Sequence, residues 1–509
     1  MSKEVVIWLT IAVYIVFIAA VGLISRRSSK SMTDFTVGGR NAGAWVTALS
    51  YGTAYFSAVM FIGYAGTTGW KYGLWAVLPG LGNAVFGSLL AWLVLAKRTR
   101  KVTRRLKIKS MPQFFDQRFV SRPMKLFSAA VIFLFLLPYS ASVYKGLTSV
   151  CAVLLGVDEQ VCMIVIALAS AAVVVLGGYI ATLKADFVQG IVMLVGVLAL
   201  IVAVVRCQQV GGLSAGLQAI SRVTEDLQLG VADHIALWAT VLMTSFGTWG
   251  LPQMIHKYYG IRDDREVKRG TVISTLFALV IAGGGYFIGS LSRLFYQELP
   301  SPPGGGAGSY DYLVPNMLNE AGLPTVLIGL VLVLLIAASV STLASITITA
   351  SSTLTMDLLK ERLFPKLDPV GTARVTKGLC ALFVLLSYVI ANSQTPILDM
   401  MSYSWGILSG CFLAPYVLSL YWKGINRTGA WAGMAAGFVT AAPPLVAKLL
   451  FPGVSLPFFG KLADLGPHFA CLAMIVSFLS CWAFSLIGRA ARLKGAQDNP
   501  AFYAEEAEA

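Results

Sequence analysis

Apolar runs of about 20 residues recur along the whole of this chain, and that recurrence fixes the solvent it folds in. A bilayer core takes about 20 apolar residues per helix. We count about thirteen such runs, near 4–25, 43–66, 74–96, 123–153, 159–180, 186–206, 233–256, 270–296, 323–357, 374–393, 398–422, 428–450 and 467–488. Only 12% of the 509 residues are charged, against about 25% in a soluble protein. The chain therefore reads as an all-α integral membrane protein. Its first run lacks a basic leader and a small-residue cleavage site, and "SRRSSK" follows it, so a retained anchor is expected rather than a signal peptide.

The formal charge of +15 would fit a nucleic-acid partner, but its distribution argues otherwise. Lys and Arg gather in alternate connections: 25–30, 97–109, 256–269, 360–366, 422–427 and 489–494. The intervening ones, such as "DEQ" near 158 and "PSPPGGGAGSYDY" at 300–312, are poor in them. This is the positive-inside pattern. It predicts an outside N-terminus, about thirteen spans, an inside C-terminus, and no nucleic acid. The lipid bilayer of the cell (inner or plasma) membrane is the partner; no obligate protein partner is evident.

Other chemistries lack their residues. The seven Cys show no CxxC pair. The three His are scattered, and there is no Walker A motif to make ATP the direct energy source. No nucleophile–base pair stands out, so an enzyme is not expected. No soluble domain fits in the longest connections, roughly 207–232 and 297–322. Residues 1–496 are expected to form one membrane unit, with 497–509 a short cytoplasmic tail whose acidic end, "YAEEAEA", is expected to be disordered.

Two spans carry helix breakers. One reads "ALSYGTAYFSAVMFIGYAGTTGW", with Gly52, Gly63, Gly66 and Gly69; the other reads "VLMTSFGTWGLPQMIHKYY", with Gly247, Gly250 and Pro252. They lie five spans apart. Interrupted segments at matching places in two halves point to a transporter site built on inverted repeats. The repeats would run over about 43–206 and 233–422.

The stretch "AASVSTLASITITASST", Ala337 to Thr353, runs straight on from "TVLIGLVLVLLI", and nine of its 17 residues are Ser or Thr. On a helix Ala338, Ser341 and Thr342 share a face. Two readings fit. In one, the Ala338 carbonyl and the two hydroxyls are part of a neutral oxygen cage for a hard monovalent cation, completed by the carbonyls of Thr53 and Phe56 from the first broken span. Alternatively, the small residues serve close helix packing, with their hydroxyls bonded back to the helix.

Several separate motifs are similar to those of the sodium:solute symporter family. They are "AASVSTLAS" followed by "ASSTLTMDL", "LGGYIATLKADFVQG" (176–190), "GLPQMIHKYYGIRDDREVKRG" (250–270) and "YWKGINRTGAWAGMAAG" (421–437). The resemblance extends from the second run to the twelfth. It implies a LeuT-type core of five-plus-five inverted repeats and sodium as the coupling ion. It places a sodium site on the carbonyls of Thr53, Phe56 and Ala338 and the hydroxyls of Ser341 and Thr342. Thr53 stands where the family usually has Ala. A second sodium, bound by some members, would fall on Asp186 and Ser345, but Ala344 stands where a further hydroxyl is expected.

The resemblance is silent on Lys145, an ionisable residue inside the fourth run and so a functional-site hypothesis by default. It could bind a substrate carboxylate, neutralise a buried acid such as Asp186 or stand in for a cation, or snorkel along a water path. The substrate site is expected where the broken spans meet the fourth run. That names Tyr55, Ser57, Met60, Tyr144, Lys145, Thr244, Trp249 and Gln253, with Tyr403 and Trp405 as outer-gate residues. The expected function is sodium-coupled import of a small polar solute (amino acid, carboxylate or sugar-like) by alternating access. The rivals are a sodium-independent or proton-coupled carrier of the same fold, a channel and a sensor.

Overall fold

The computed structural model describes residues 5–14, 16, 40–303, 305–491 and 502, as backbone alone over 172–181. Most of the first expected span, the "SRRSSK" stretch and nearly all of the 497–509 tail lie outside the described residues. The described chain is helical apart from loops and a two-residue antiparallel ladder, Ser455–Leu456 against Gly460–Lys461.

Among the described residues nine helices are long and apolar enough to cross a membrane, from Val59–Arg105 to Leu462–Ala490. Four expected runs are missing from that set. The first is represented by Val5–Tyr14. The runs at 43–66 and 233–256 are broken into pieces. The former gives α1 (Ala44–Tyr55) and, after a wide helical turn, α2 (Ala65–Tyr72). The run at 159–180 merges with its successor. After α3 (Arg122–Leu155) comes α4 (Glu159–Arg206), 48 residues helical throughout. A straight helix of that length would span about 72 Å. Yet Glu159 meets Tyr312, and Gln209, just past the other end, donates to the Glu320 carbonyl at 3.3 Å. The chain therefore doubles back within α4, whose second arm, Thr182–Arg206, is itself long enough to span.

The second broken segment comprises α5 (Val231–Phe246), a tight turn over Gly247–Gly250, and α6 (Pro252–Gly260). Leu251 is extended, φ −82° and ψ 120°, as the residue before proline prefers, and Pro252 opens α6 where its missing N–H costs nothing. Gly250 is required by proximity: a Cβ there would lie 2.6 Å from the Ser409 Cα. The first break differs from the sequence expectation. It falls at Phe56, extended at φ −105° and ψ 116°, with no glycine or proline at the break. The glycines of that segment serve packing instead. A Cβ on Gly69 would lie 2.0 Å from the Gly289 carbonyl oxygen, and one on Gly289 2.2 Å from that of Ala65. Gly73, at φ +55°, is the one that turns the chain after α2.

That backbone contact gives a direct prediction. Gly69→Ala forces two main chains apart, and overpacking costs about 1–3 kcal/mol. We expect a lower melting temperature and less monodisperse protein. Gly378→Ala, where a Cβ meets nothing within 4 Å, should behave as the parent in the same size-exclusion thermal assay.

The hydroxyl-rich helix is α7 (Thr325–Leu354), packed against α4, α3 and α1. α8 (Ile397–Tyr421) crosses α3 and the second break. Among the described residues, the basic connections at 97–109, 256–269 and 422–427 gather at one end of the bundle. There Arg100 meets Asp264, Arg98 donates to the Leu420 carbonyl at 2.9 Å, and Arg427 to that of Phe119 at 2.9 Å. Ala42 and Ile261 form a bridge there, and Glu266 accepts from the Ala44 N–H at the start of α1 at 2.6 Å. The tail reaches the same end: Phe502 is buried against Phe114, with the Arg118 guanidinium 5.3 Å from its ring.

Candidate cation and solute site

Where α1 stops, its last carbonyls lose their helical partners, and α7 lies alongside. The Thr342 hydroxyl sits 2.9 Å from the Thr53 carbonyl and 3.0 Å from the Ala338 carbonyl. The Ser341 hydroxyl lies 2.9 Å from that of Thr53, and the freed Ala58 N–H donates to Ser339 at 3.4 Å. Further along α7 the packing reading holds, since Ser352 bonds back to the Thr349 carbonyl. Around the break the hydroxyls reach across to another helix. All of Thr53, Phe56, Ala338, Ser341 and Thr342 are buried at 1% exposure or less. The oxygens of Thr53, Ala338, Ser341 and Thr342 form a neutral set, the chemistry that suits a hard monovalent cation.

Ser341 also donates to the Asp186 carboxylate at 2.6 Å, so a second cluster adjoins the first. Asp186 lies on the second arm of α4 and accepts from Ser50 as well. The Lys257 ammonium, from α6, is 3.3 Å from Asp186, 2.8 Å from the Ser50 hydroxyl and 2.9 Å from that of Ser345. Lys257 read in the sequence as part of the exposed basic run at 256–269, yet its side chain is 1% exposed. The helical start at Pro252 carries it back into the bundle. Ala344 faces away, packed with Ile348 and Cys380.

The aromatic centre lies between the breaks. Trp405 is 6.1 Å from the Tyr55 ring and 5.5 Å from the Tyr139 ring, and a Cβ on Gly247 would meet it at 3.3 Å. Trp405 thus lies against both breaks rather than at an outer rim. Tyr403, on the other side of α8, donates to the Ala463 carbonyl at 2.9 Å. Among the expected substrate residues, several are engaged with one another or with neighbours. Tyr55 donates to the Thr244 carbonyl at 2.6 Å, and Trp249 to that of Phe86 at 3.0 Å. Ser57 accepts from the Val59 N–H, and Met60 packs where a Gly285 Cβ would be. Around this centre the Gln253 amide, the Tyr139 hydroxyl and the Trp405 indole N–H are buried with no hydrogen-bond partner among the described residues, as are other buried hydroxyls such as that of Tyr144.

Tyr144 and Lys145 lie off the face of α3 that carries Tyr139 and Gly146. Tyr139 and Gly146, one heptad apart, face the centre, with Gly146 abutting Ala58 and Val59. Positions 144 and 145 lie roughly 120–140° round from Tyr139 at 3.6 residues per turn. The Lys145 ammonium donates to the Thr395 carbonyl at 2.8 Å and the Ser393 carbonyl at 3.3 Å, with Asp311 4.0 Å away. It ties down the connection into α8 and does not meet Asp186. Asp311, in the segment before the 313–320 helix, is pushed up to about 6 by burial, with Lys145 opposing. Tyr139, which the sequence did not single out, is the α3 side chain that meets Trp405; the 3.6-residue phase from Gly146 was the available signal.

The family model described as the sodium:solute symporter family matches residues 35–437. The osmoregulated proline transporter OpuE of Bacillus subtilis (strain 168) is 26% identical over 453 residues, 86% of this chain and 88% of its own length. The sodium/pantothenate symporter of Escherichia coli (strain K12) is 26% identical over 460 residues, covering 87% and 90%. A sodium-coupled sialic acid symporter in a substrate-bound outward-open state superposes with a TM-score of 0.73 at 16% identity, covering 97% of this chain and 98% of that one. MhsT in complex with L-phenylalanine gives 0.56 at 15%, covering 87% and 99%. These two establish the LeuT-type fold.

Proposed function

This chain belongs to the sodium:solute symporter family, and from that premise we propose that it imports a small carboxylate-bearing solute, coupled to sodium bound at Thr53, Phe56, Ala338, Ser341 and Thr342. One observation carries the reading: the Thr342 hydroxyl lies within 3.0 Å of carbonyls from two helices, one of them broken at that level. Sodium there would bind α1 to α7. Its loss frees the inner half of the first broken segment to move away from α7, and that motion is the gate. With the basic end cytoplasmic, release is inward.

The solute sits between the breaks, where Tyr139, Trp405 and Gln253 offer unpaired polar groups within aromatic walls. The proline and pantothenate named for relatives are both carboxylates. Lys145 is not needed for this site. We expect Lys145→Met to leave half-saturation for the solute within about threefold. Trp405→Phe, which keeps a ring and removes the N–H, should raise it at least about fivefold, the scale of one lost buried hydrogen bond.

The test is a thermal-shift screen of purified protein against small carboxylates, amino acids and sugars, in sodium and in potassium. A ligand at 100 times its Kd stabilises by about 2.7 kcal/mol. Hits that appear in sodium and vanish in potassium support the reading; equal hits in both salts contradict it. A sodium-independent carrier is the second reading, favoured by one fact: Lys257 already places a cation against Asp186.

A further inference from the structure

We propose that the Lys257 ammonium permanently fills a second cation position in this carrier, so that a single sodium ion is moved per cycle. The inference rests on the sodium reading above. Asp186 is 0% exposed and is approached by the hydroxyls of Ser50 and Ser341. With Ser345 these make an oxygen-lined cluster bearing one negative charge, set beside the neutral cluster at Thr342. An ionised carboxylate buried without an opposite charge is costly, and such a cluster would accept a mobile cation. Here the chain supplies its own. An ammonium has three N–H donors, and Lys257 finds three oxygens, on Ser50, Ser345 and Asp186, at 2.8, 2.9 and 3.3 Å.

The placement gives the charge a mechanical role as well. Ser50 is on α1, Asp186 on α4, Ser345 on α7 and Lys257 on α6. One tethered charge therefore joins the inner halves of both broken segments to the helices beside them. A mobile ion at that point would make the junction depend on sodium concentration; a tethered one does not. Ser341 is shared between the clusters, so the fixed charge also orients a ligand of the sodium site.

The test is equilibrium binding of radioactive sodium to the purified full chain, without solute. The parent should bind one ion with a Hill coefficient near one. Lys257→Ala removes the ammonium and makes room, and should bind two ions. Lys257→Ala/Asp186→Asn, which also removes the negative charge, should return to one. Two ions in the parent, or one in a folded Lys257→Ala, overturn the proposal while leaving the sodium site intact. No saturable binding in the parent sinks the sodium reading itself, and this inference with it. If Lys257→Ala is recovered only in high sodium and not in choline, that requirement supports the second ion. If it is lost in both salts while the double variant is recovered, the pair is structural only and the proposal falls.

Discussion

Thr342→Val is expected to raise the sodium concentration for half-maximal binding at least about fivefold. The side chain keeps its shape and loses the oxygen that lies 2.9 Å from the Thr53 carbonyl and 3.0 Å from that of Ala338. A lost buried polar contact costs at least about 1 kcal/mol, which is that factor. Ser341→Ala should act at least as strongly, because it also takes a hydrogen bond from Asp186. Sodium titration of the purified variants, read by isotope binding or by thermal stability, checks both. If both titrate as the parent does, the ion binds elsewhere.

The largest effect on stability is expected from Asp186→Ala. It removes the carboxylate that meets a buried ammonium, and truncating one partner of a buried pair costs about 3–5 kcal/mol. Lys257 then keeps its hydroxyl partners, Ser50 and Ser345, without that opposite charge. We expect little monodisperse protein. Adding Lys257→Met should recover most of the loss, because neighbouring changes that share one interaction are not additive. Yield and melting temperature in detergent report the outcome. If the double variant is as poor as the single, Asp186 supports the fold through Ser50 and Ser341 rather than through the charge pair.

How far these sites could be read from sequence depended on whether local chemistry or tertiary contact decided them. The second break was legible because Pro252 determines it locally, holding Leu251 extended before it; Gly250 answers instead to the close approach of Ser409. The first was not, because Phe56 and Ser57 are ordinary helix residues. There the helix is interrupted where α7 offers replacements, Ser339 for the Ala58 N–H and Thr342 for the Thr53 carbonyl. The trio on α7 followed from helical spacing and from family resemblance. Lys257 was hidden by its neighbours: "HKYYGIR" reads as a basic loop until Pro252 is seen to restart a helix that ends at Gly260. Lys145 misled for a related reason. A charge in an apolar run signals function by default, but the run alone does not give the helix face, and Lys145 faces the connection at 393–395.

The most direct measurement of the central claim is solute accumulation in proteoliposomes under an imposed sodium gradient, with the solute found by the screen. One sodium ion, a tenfold gradient and 100 mV together supply about 3.7 kcal/mol, a ceiling of roughly 500-fold for a solute of no net charge. The account predicts accumulation that approaches but does not pass this ceiling, collapses when a sodium ionophore is added, and falls in Thr342→Val at limiting sodium. Accumulation that persists with potassium in place of sodium, or that is driven by a proton gradient alone, would contradict it.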